Sequence, residues 1–163
     1  ISAIMSDKCA AYLGSGCHYS HVGERYAVKA LGSMMHLYAK ASGKLMNTFP
    51  PYYKRSFDVL WSGQNEGLPN HIGICGTILN TPGHTEDSIS FVVGEHAFVG
   101  DAARNMLNIL GAAYEPILFY DHRACYESWT KLLDAGVNYI HPAHGRSFAA
   151  KCLRDRQHLF ENI

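Results

Sequence analysis

The sequence predicts a layered α/β fold, and three observations lead to this prediction. Strand-like and helix-like segments alternate along the chain after residue 70. Residues 88–93 have a strand pattern, and a two-residue Gly-Glu turn joins them to a second strand-like run at 96–100. Residues 121–136 have the spacing of an amphipathic helix closed by a glycine. The length of 163 residues suits one core, so we predict a single domain over residues 1–163.

Local patterns predict the other elements of this domain. Helices are expected at 23–32, 104–111 and 148–163. Buried strands are expected at 34–39 and 137–140, and one long strand or a strand pair at 71–80. Residues 1–15 fit a helix or a strand. The stretch 48–72 is rich in proline and tyrosine and predicts mostly loop. Residues 49–57 within it are a candidate substrate wall, with Tyr52 and Tyr53 as donors to a carbonyl oxygen. The alternative is an ordinary loop packed by its own aromatic side chains.

Composition argues against several classes of partner. Lys+Arg and Asp+Glu are both 14, so no excess of positive charge favours nucleic acid or an anionic membrane. No apolar run reaches the ~18 residues of a spanning helix, and no leader segment is recognisable. The five cysteines are an odd number and form no CxxC pair, which is typical of reduced thiols. We therefore expect a cytoplasmic protein that acts on a small molecule.

Histidine is unusually abundant, with ten residues. Two of these histidines and one aspartate each follow a predicted strand. His84 lies in a Pro-Gly turn, Asp101 ends the strand 96–100, and His144 follows the strand 137–140. Strand ends at one edge of a sheet can bring distant residues together. Two imidazoles and a carboxylate suit Zn²⁺ or Fe²⁺. The alternative is a retained fold in which these residues bind no metal.

Three motifs in this region resemble a known family. "TPGHTEDSISF", "AFVGDA" and "HPAHG", in this order, are similar to the second half of the metallo-β-lactamase fold hydrolases. The resemblance extends over about residues 12–150. It implies a metallo-β-lactamase-like αββα sandwich. It also implies that His84, Asp101 and His144 are metal ligands, with Asp101 bridging two ions.

The family's signature H-x-H-x-D-H is matched only in part, by "GCHYSHVG". His18 and His21 match the second and last histidines of the signature. Gly16 and Ser20 stand where the family has a histidine and an aspartate. The alternative interpretation is that His18 and His21 are a surface pair beside a helix start.

The resemblance implies two sets of three ligands that share Asp101. One ion would be held by His18, His84 and Asp101, and the other by His21, His144 and Asp101. Three protein ligands leave a position open for water, as in catalytic zinc sites. The loss of an aspartate at Ser20 is expected to weaken the site.

The resemblance implies a metal-dependent hydrolase. A metal-activated water would attack an ester, thioester, lactone, amide or phosphodiester, with Asp101 as the catalytic residue. We expect one or two Zn²⁺ ions, with Fe or Mn as further candidates. The alternative is a non-catalytic, metal-poor relative that acts as a binding or scaffold module.

The start of the sequence departs further from the family. Only 15 residues precede Gly16, whereas the family has several strands before its signature. We therefore expect the first sheet to be shortened or incomplete. Apolar surface left on the other layer predicts a homo-oligomer.

Overall fold

The computed structural model describes residues 2–16, 25–26, 29–42, 49–62, 73, 75–108 and 113–157. Its helices are α1 (Asp7–Ser15), α2 (Lys29–Ala41), α3 (His122–Asp134) and α4 (Lys151–Arg154). Its strands are β1 (Ile4–Ser6), β2 (Arg25–Tyr26), β3 (Val59–Trp61), β4 (Thr77–Asn80), β5 (Ile89–Val93), β6 (His96–Gly100), β7 (Leu118–Phe119), β8 (Tyr139–Pro142) and β9 (Phe148–Ala149). Among these helices, none has the length and apolar character needed to span a bilayer.

One sheet of five strands dominates the described part of the chain. Its order is β4-β5-β6-β8-β9, and β6 and β8 are parallel while the other neighbours are antiparallel. The predicted hairpin at 88–100 is confirmed by β5 and β6. Two small sheets, β1 with β3 and β2 with β7, complete the strand pairing. The layered α/β prediction is confirmed.

The main core lies between this sheet and α3. Trp129 and Leu132 of α3 are fully buried, together with Val99 and Ile140 of the sheet. Burial of each such side chain stabilises the fold by roughly 1.5–3 kcal/mol. The indole Nε1 of Trp129 also donates to the carbonyl of Ala102 at 2.8 Å, just past the end of β6. The core is therefore anchored beside Asp101.

The opposite face of the sheet is only partly covered. Trp61 of β3 packs on Ile78 of β4, so the small β1–β3 sheet covers the β4–β5 side. Further along this face, Phe98 of β6 and Tyr139 of β8 remain 52% and 49% exposed. Among the described residues, β1 and β3 are the strands that pair on this side of the sheet, and the shortening of the first sheet stays a prediction.

The strand predicted at 34–39 is wrong, and the helix predicted at 23–32 is right only in part. Residues 29–32 are helical as expected, but residues 25–26 form β2, and α2 continues through the predicted strand. Residues 23–24 and 27–28 lie outside the described residues. A short apolar run does not distinguish a strand from a helix. Met34 and Leu37, at helical spacing, are more than 60% exposed, so the run is also not buried.

The boundaries of several other helices and strands differ from those predicted. Of the helix expected at 104–111, residues 104–107 are not helical, and Asn105 makes an isolated bridge to Gly145. Residue 108 has a 3₁₀ conformation, and residues 109–111 lie outside the described residues. Of the strand expected at 71–80, β4 contains residues 77–80. β8 begins two residues later than expected, and Tyr139 in it is exposed. Of the terminal helix expected at 148–163, residues 151–154 form α4, while residues 148–149 pair with β8 instead. Residues 158–163 lie outside the described residues.

Candidate metal centre

The structure brings His84, Asp101 and His144 together. Nε2 of His84 lies 3.9 Å from Oδ2 of Asp101. Nε2 of His144 lies 3.5 Å from Oδ1 of the same carboxylate. Each imidazole therefore faces a different oxygen of Asp101.

These distances fit the spacing between two ligands of one ion better than the length of a hydrogen bond. A charged hydrogen bond between nitrogen and oxygen is about 2.7–2.9 Å long. Two ligands bonded to one tetrahedral ion at about 2.0–2.2 Å lie roughly 3.3–3.6 Å apart. The separations of 3.5 and 3.9 Å are close to this second range. Two imidazoles and a carboxylate are also a donor set that suits Zn²⁺.

The His84 ring is oriented by β7. Its Nδ1 lies 2.7 Å from the carbonyl oxygen of Leu118, which can only accept a hydrogen bond. Nδ1 therefore carries a proton, and Nε2 of the neutral ring keeps its lone pair on the side of Asp101. A backbone carbonyl in this role is a common support for a metal-binding histidine.

The turn that carries His84 is clamped against α3. The carbonyl of Gly83 accepts hydrogen bonds from the N–H groups of Tyr120 and Asp121, and Ser128 Oγ donates to the carbonyl of Pro82 at 2.7 Å. Gly83 has φ +142°, and a Cβ there would lie 2.5 Å from Sγ of Cys125. A glycine is required at this close approach.

Asp101 and His144 are positioned by the parallel pair β6–β8. Both residues follow their strands, and the N–H of Ala143 donates to the carbonyl of Gly100 at 2.8 Å. The N–H of Asn105 donates to the carbonyl of His144 at 2.9 Å. Gly145 has φ +97° and its Cα faces the Asn105 backbone, so a side chain there would clash.

The loop before β7 is held by a buried carboxylate. Glu115 accepts a hydrogen bond of 2.6 Å from the Tyr126 hydroxyl, and Nε2 of His122 lies 3.4 Å from it. Burial acts to raise the pKa of Glu115, but His122 and Tyr126 together hold it below its usual value. His122 thus supports the strand that orients His84.

His18 and His21 lie outside the described residues. Within the described part of the chain, no three His, Cys, Asp or Glu side chains meet closely enough to form a complete ion site. His84 and His144 instead form two pairs that share Asp101. Each pair needs a further ligand to reach the three that a catalytic zinc site uses.

A cavity of about 430 Å³ opens beside this cluster. His84 and Asp101 line it, and α1 contributes Tyr12 and Leu13 to its apolar wall. Phe49, Ile89 and Val99 extend that wall. A larger cavity of about 660 Å³, bordered by Trp61 and Lys131, contains none of the three clustered residues. We regard the smaller cavity as the candidate substrate pocket because it adjoins the reactive groups.

The stretch 49–57, predicted as a substrate wall, lines the pocket through Phe49 but not through its tyrosines. Tyr52 donates its hydroxyl to Asp58 at 2.7 Å, and Tyr53 is 72% exposed; neither lines the pocket. The helical spacing of Cys9, Tyr12 and Leu13 could have indicated an inward-facing stripe in the ambiguous segment 1–15. Burial raises the pKa of the Cys9 thiol, and Asp87 adds to the shift, so this thiol is a poor nucleophile.

His141 lies outside the cluster of His84, Asp101 and His144. Its Nε2 contacts Nδ1 of His96 at 2.9 Å, and its Nδ1 contacts Ser147 Oγ at 2.8 Å. The side chain projects from the uncovered face of the sheet, three residues before His144.

Several solved structures with metallo-beta-lactamase names are similar in fold to this chain. An archaeal metallo-beta-lactamase superfamily protein from Sulfolobus tokodaii superposes with a TM-score of 0.58 at 17% identity, over 97% of this chain and 57% of its own. A metallo-beta-lactamase family protein from Thermus thermophilus gives 0.57 at 15% identity, over 99% and 52%. The B3 metallo-beta-lactamase BLEG-1 gives 0.54 at 17%, over 98% and 65%.

This chain has the metallo-β-lactamase fold. It spans just over half to two thirds of the length of these structures. No protein-family model matches the chain, and no curated protein matches it. In this metallo-β-lactamase fold, the three clustered residues lie at the ends of β6 and β8 and in the turn after β4.

Proposed function

We propose that this protein is a metal-dependent hydrolase with Zn²⁺ bound at Asp101. The observation that carries the proposal is the placement of His84 and His144 on separate oxygens of one carboxylate. Such a carboxylate suits a bridge between two ions. Bound Zn²⁺ supplies a Lewis acid and makes a water molecule nucleophilic near neutral pH.

The ligand sets that the proposal uses extend beyond the described residues. His18 would complete the pair of His84 and Asp101, and His21 the pair of His144 and Asp101. Support comes from α1, whose C-cap Gly16 lies two residues before His18 in the sequence and whose Leu13 lines the same pocket as His84. The proposal keeps Asp101 as the catalytic residue, which orients the reacting water.

The pocket favours a neutral carboxylic ester, thioester or lactone as the substrate. Tyr12, Leu13 and Phe49 give an apolar wall that suits a short acyl chain. Asp87 adds a carboxylate to the same lining. Its negative charge disfavours a phosphodiester, whose anion would be held close to it.

The experiment combines metal analysis with a substrate comparison. Purified protein, with and without added Zn²⁺, is assayed on p-nitrophenyl butyrate, a γ-lactone and bis-p-nitrophenyl phosphate. We expect chelator-sensitive hydrolysis of the first two, and a fall in kcat/KM of about 100-fold or more for His84→Ala. His96→Ala, on the uncovered sheet face, is the matched histidine control.

The outcomes separate the parts of the proposal. Metal-dependent cleavage of the phosphodiester alone would refute the substrate class but leave the hydrolase intact. Absence of bound Zn, Fe and Mn, with thermal stability unaffected by chelator, would instead favour the binding or scaffold module. Cytoplasmic location and self-association remain proposals, the latter supported by the exposed Phe98 and Tyr139.

A further inference from the structure

A pair of histidines on the uncovered sheet face takes no part in the proposed hydrolase site. His96 lies on β6 and His141 on β8, which run parallel; His96 is opposite Tyr139, and Phe98 is opposite His141. This register places the two imidazoles diagonally on the same face. Nδ1 of His96 and Nε2 of His141 are 2.9 Å apart.

Both rings are held in place by their neighbours. The His96 ring stacks on Tyr139 with centroids 4.9 Å apart, and the His141 ring stacks on Phe98 at 4.8 Å. Ser147 Oγ lies 2.8 Å from Nδ1 of His141 and fixes the direction of its Nε2. A hydrogen bond to the other ring nitrogen is the usual support of a metal-binding imidazole.

We propose that His96 and His141 form a second metal site, which takes Cu²⁺ or Ni²⁺. Imidazole nitrogen is a preferred donor for both ions. Two nitrogens in neighbouring positions of a square-planar ion, with bonds of about 2.0–2.1 Å, lie roughly 2.9 Å apart, whereas tetrahedral coordination requires about 3.4 Å. The observed 2.9 Å between the two imidazole nitrogens matches the separation expected for neighbouring donors in square-planar coordination.

The ion replaces the hydrogen bond between the two rings, and the protons of the two rings balance. The contact between the two nitrogens is a hydrogen bond, so one of them carries a hydrogen and the other provides the lone pair. The ring that donated the hydrogen bond takes its other tautomer: the hydrogen leaves the coordinating nitrogen and the other ring nitrogen is protonated from solvent, so both rings stay neutral and both lone pairs go to the cation. Because the two nitrogens point at each other, each ring turns by roughly 45° to direct its lone pair to the ion, and water fills the remaining positions.

This pair differs from the Asp101 cluster in chemistry and in place. It offers two nitrogens and no carboxylate, whereas the Asp101 cluster pairs each imidazole with an oxygen. His96 is exposed on the sheet face. The two sites should therefore prefer different ions, with Zn²⁺ favoured at Asp101 and Cu²⁺ favoured at the His96–His141 pair.

The test is a Cu²⁺ titration of the full chain, pre-loaded with Zn²⁺ and diluted until light scattering shows a monomer. Electron paramagnetic resonance should show a tetragonal Cu²⁺ with nitrogen hyperfine structure. His96→Ala and His141→Gln should each remove this signal and one equivalent of Cu²⁺. Ser147→Ala should weaken binding about 10-fold.

Matched controls keep the result independent of the hydrolase site. His84→Ala and His122→Ala should leave the Cu²⁺ signal unchanged, while His96→Ala leaves the Zn²⁺ content unchanged. Circular dichroism checks that each variant folds. If folded His96→Ala and His141→Gln proteins bind Cu²⁺ with the same signal and stoichiometry as the parent, the pair is only a structural hydrogen bond and the proposal is overturned.

Discussion

His84 and Leu118 are joined by a hydrogen bond of 2.7 Å between Nδ1 of the ring and the carbonyl oxygen of β7. The carbonyl fixes the proton on Nδ1 and leaves Nε2 on the side of Asp101. β7 therefore decides which nitrogen of His84 is available to an ion. Its position depends in turn on the contact between Gly83 and the start of α3.

Replacement of Gly83 by alanine should damage both stability and metal binding. The new Cβ would lie 2.5–2.7 Å from atoms of Cys125, at a φ of +142°. We expect a loss of roughly 2 kcal/mol or more in the free energy of unfolding. Chemical denaturation measures it, with Gly14→Ala as the control because a Cβ there meets nothing within 4 Å. Equal stability of the two variants would contradict the close packing of Gly83 against Cys125.

Asp58 should make the stability of the protein depend on pH. Burial acts to raise its pKa, but hydrogen bonds from the N–H groups of Ala3 and Arg55, with those from the Arg55 and Tyr52 side chains, hold the pKa well below the usual range. A lowered pKa in the folded state adds stability above the unfolded pKa of about 3.9, and this stability is lost as pH falls through the folded pKa.

We therefore expect Asp58→Asn to lower the Tm by several degrees at pH 7, and by less at pH 3. Thermal scans of both proteins across this range measure the difference. A difference in Tm between the two proteins that stays constant from pH 7 to pH 3 would show that the charge of Asp58 does not contribute to stability.

The thiols of Cys75 and Cys125 should differ sharply in reactivity. Cys75 is exposed, whereas burial raises the pKa of Cys125 to about 12. A thiol-exchange reagent should label Cys75 in the folded protein and label Cys125 only after denaturation, since the thiolate is the reacting form. Cys75→Ser should remove the fast phase. Rapid labelling of Cys125 in the folded state would contradict the packing of α3 against Gly83.

Self-association should depend on the uncovered sheet face. Phe98 and Leu37 are both exposed, but only Phe98 belongs to the face that the short β1–β3 sheet leaves open. Phe98→Asp should convert an oligomer to a monomer in light scattering, while Leu37→Asp should not. A parent protein that is monomeric at every concentration would refute the oligomer.

The hairpin, α3 and the cluster could be predicted from sequence because their signals are local. The Gly-Glu turn sets the register of β5 and β6, and Asp121 caps α3 by accepting from the N–H of Ala124. His84, Asp101 and His144 follow strands, and strand ends meet at a sheet edge. The resemblance to the metallo-β-lactamase fold added the order of these three motifs.

The parts that sequence could not predict depend on distant contacts. Residues 34–39 form part of α2 instead of a strand because an apolar run carries no information on its partners. The side chain of Tyr52 turns to Asp58 and not to the pocket, which only the folded position of Asp58 determines. His141 is next to the site in sequence, but its place in β8 directs it to His96.

The most direct measurement is the metal content of four proteins, the parent, His84→Ala, His144→Ala and Asp101→Asn, by mass spectrometry after Zn²⁺ loading. Because each histidine faces its own oxygen of Asp101, we expect about two ions in the parent, about one after either histidine is replaced, and none in Asp101→Asn. His96→Ala, on the uncovered sheet face, is the matched histidine control and should keep both ions. An Asp101→Asn protein that retains the parent's Zn²⁺ content would contradict the shared carboxylate and the proposed hydrolase site with it.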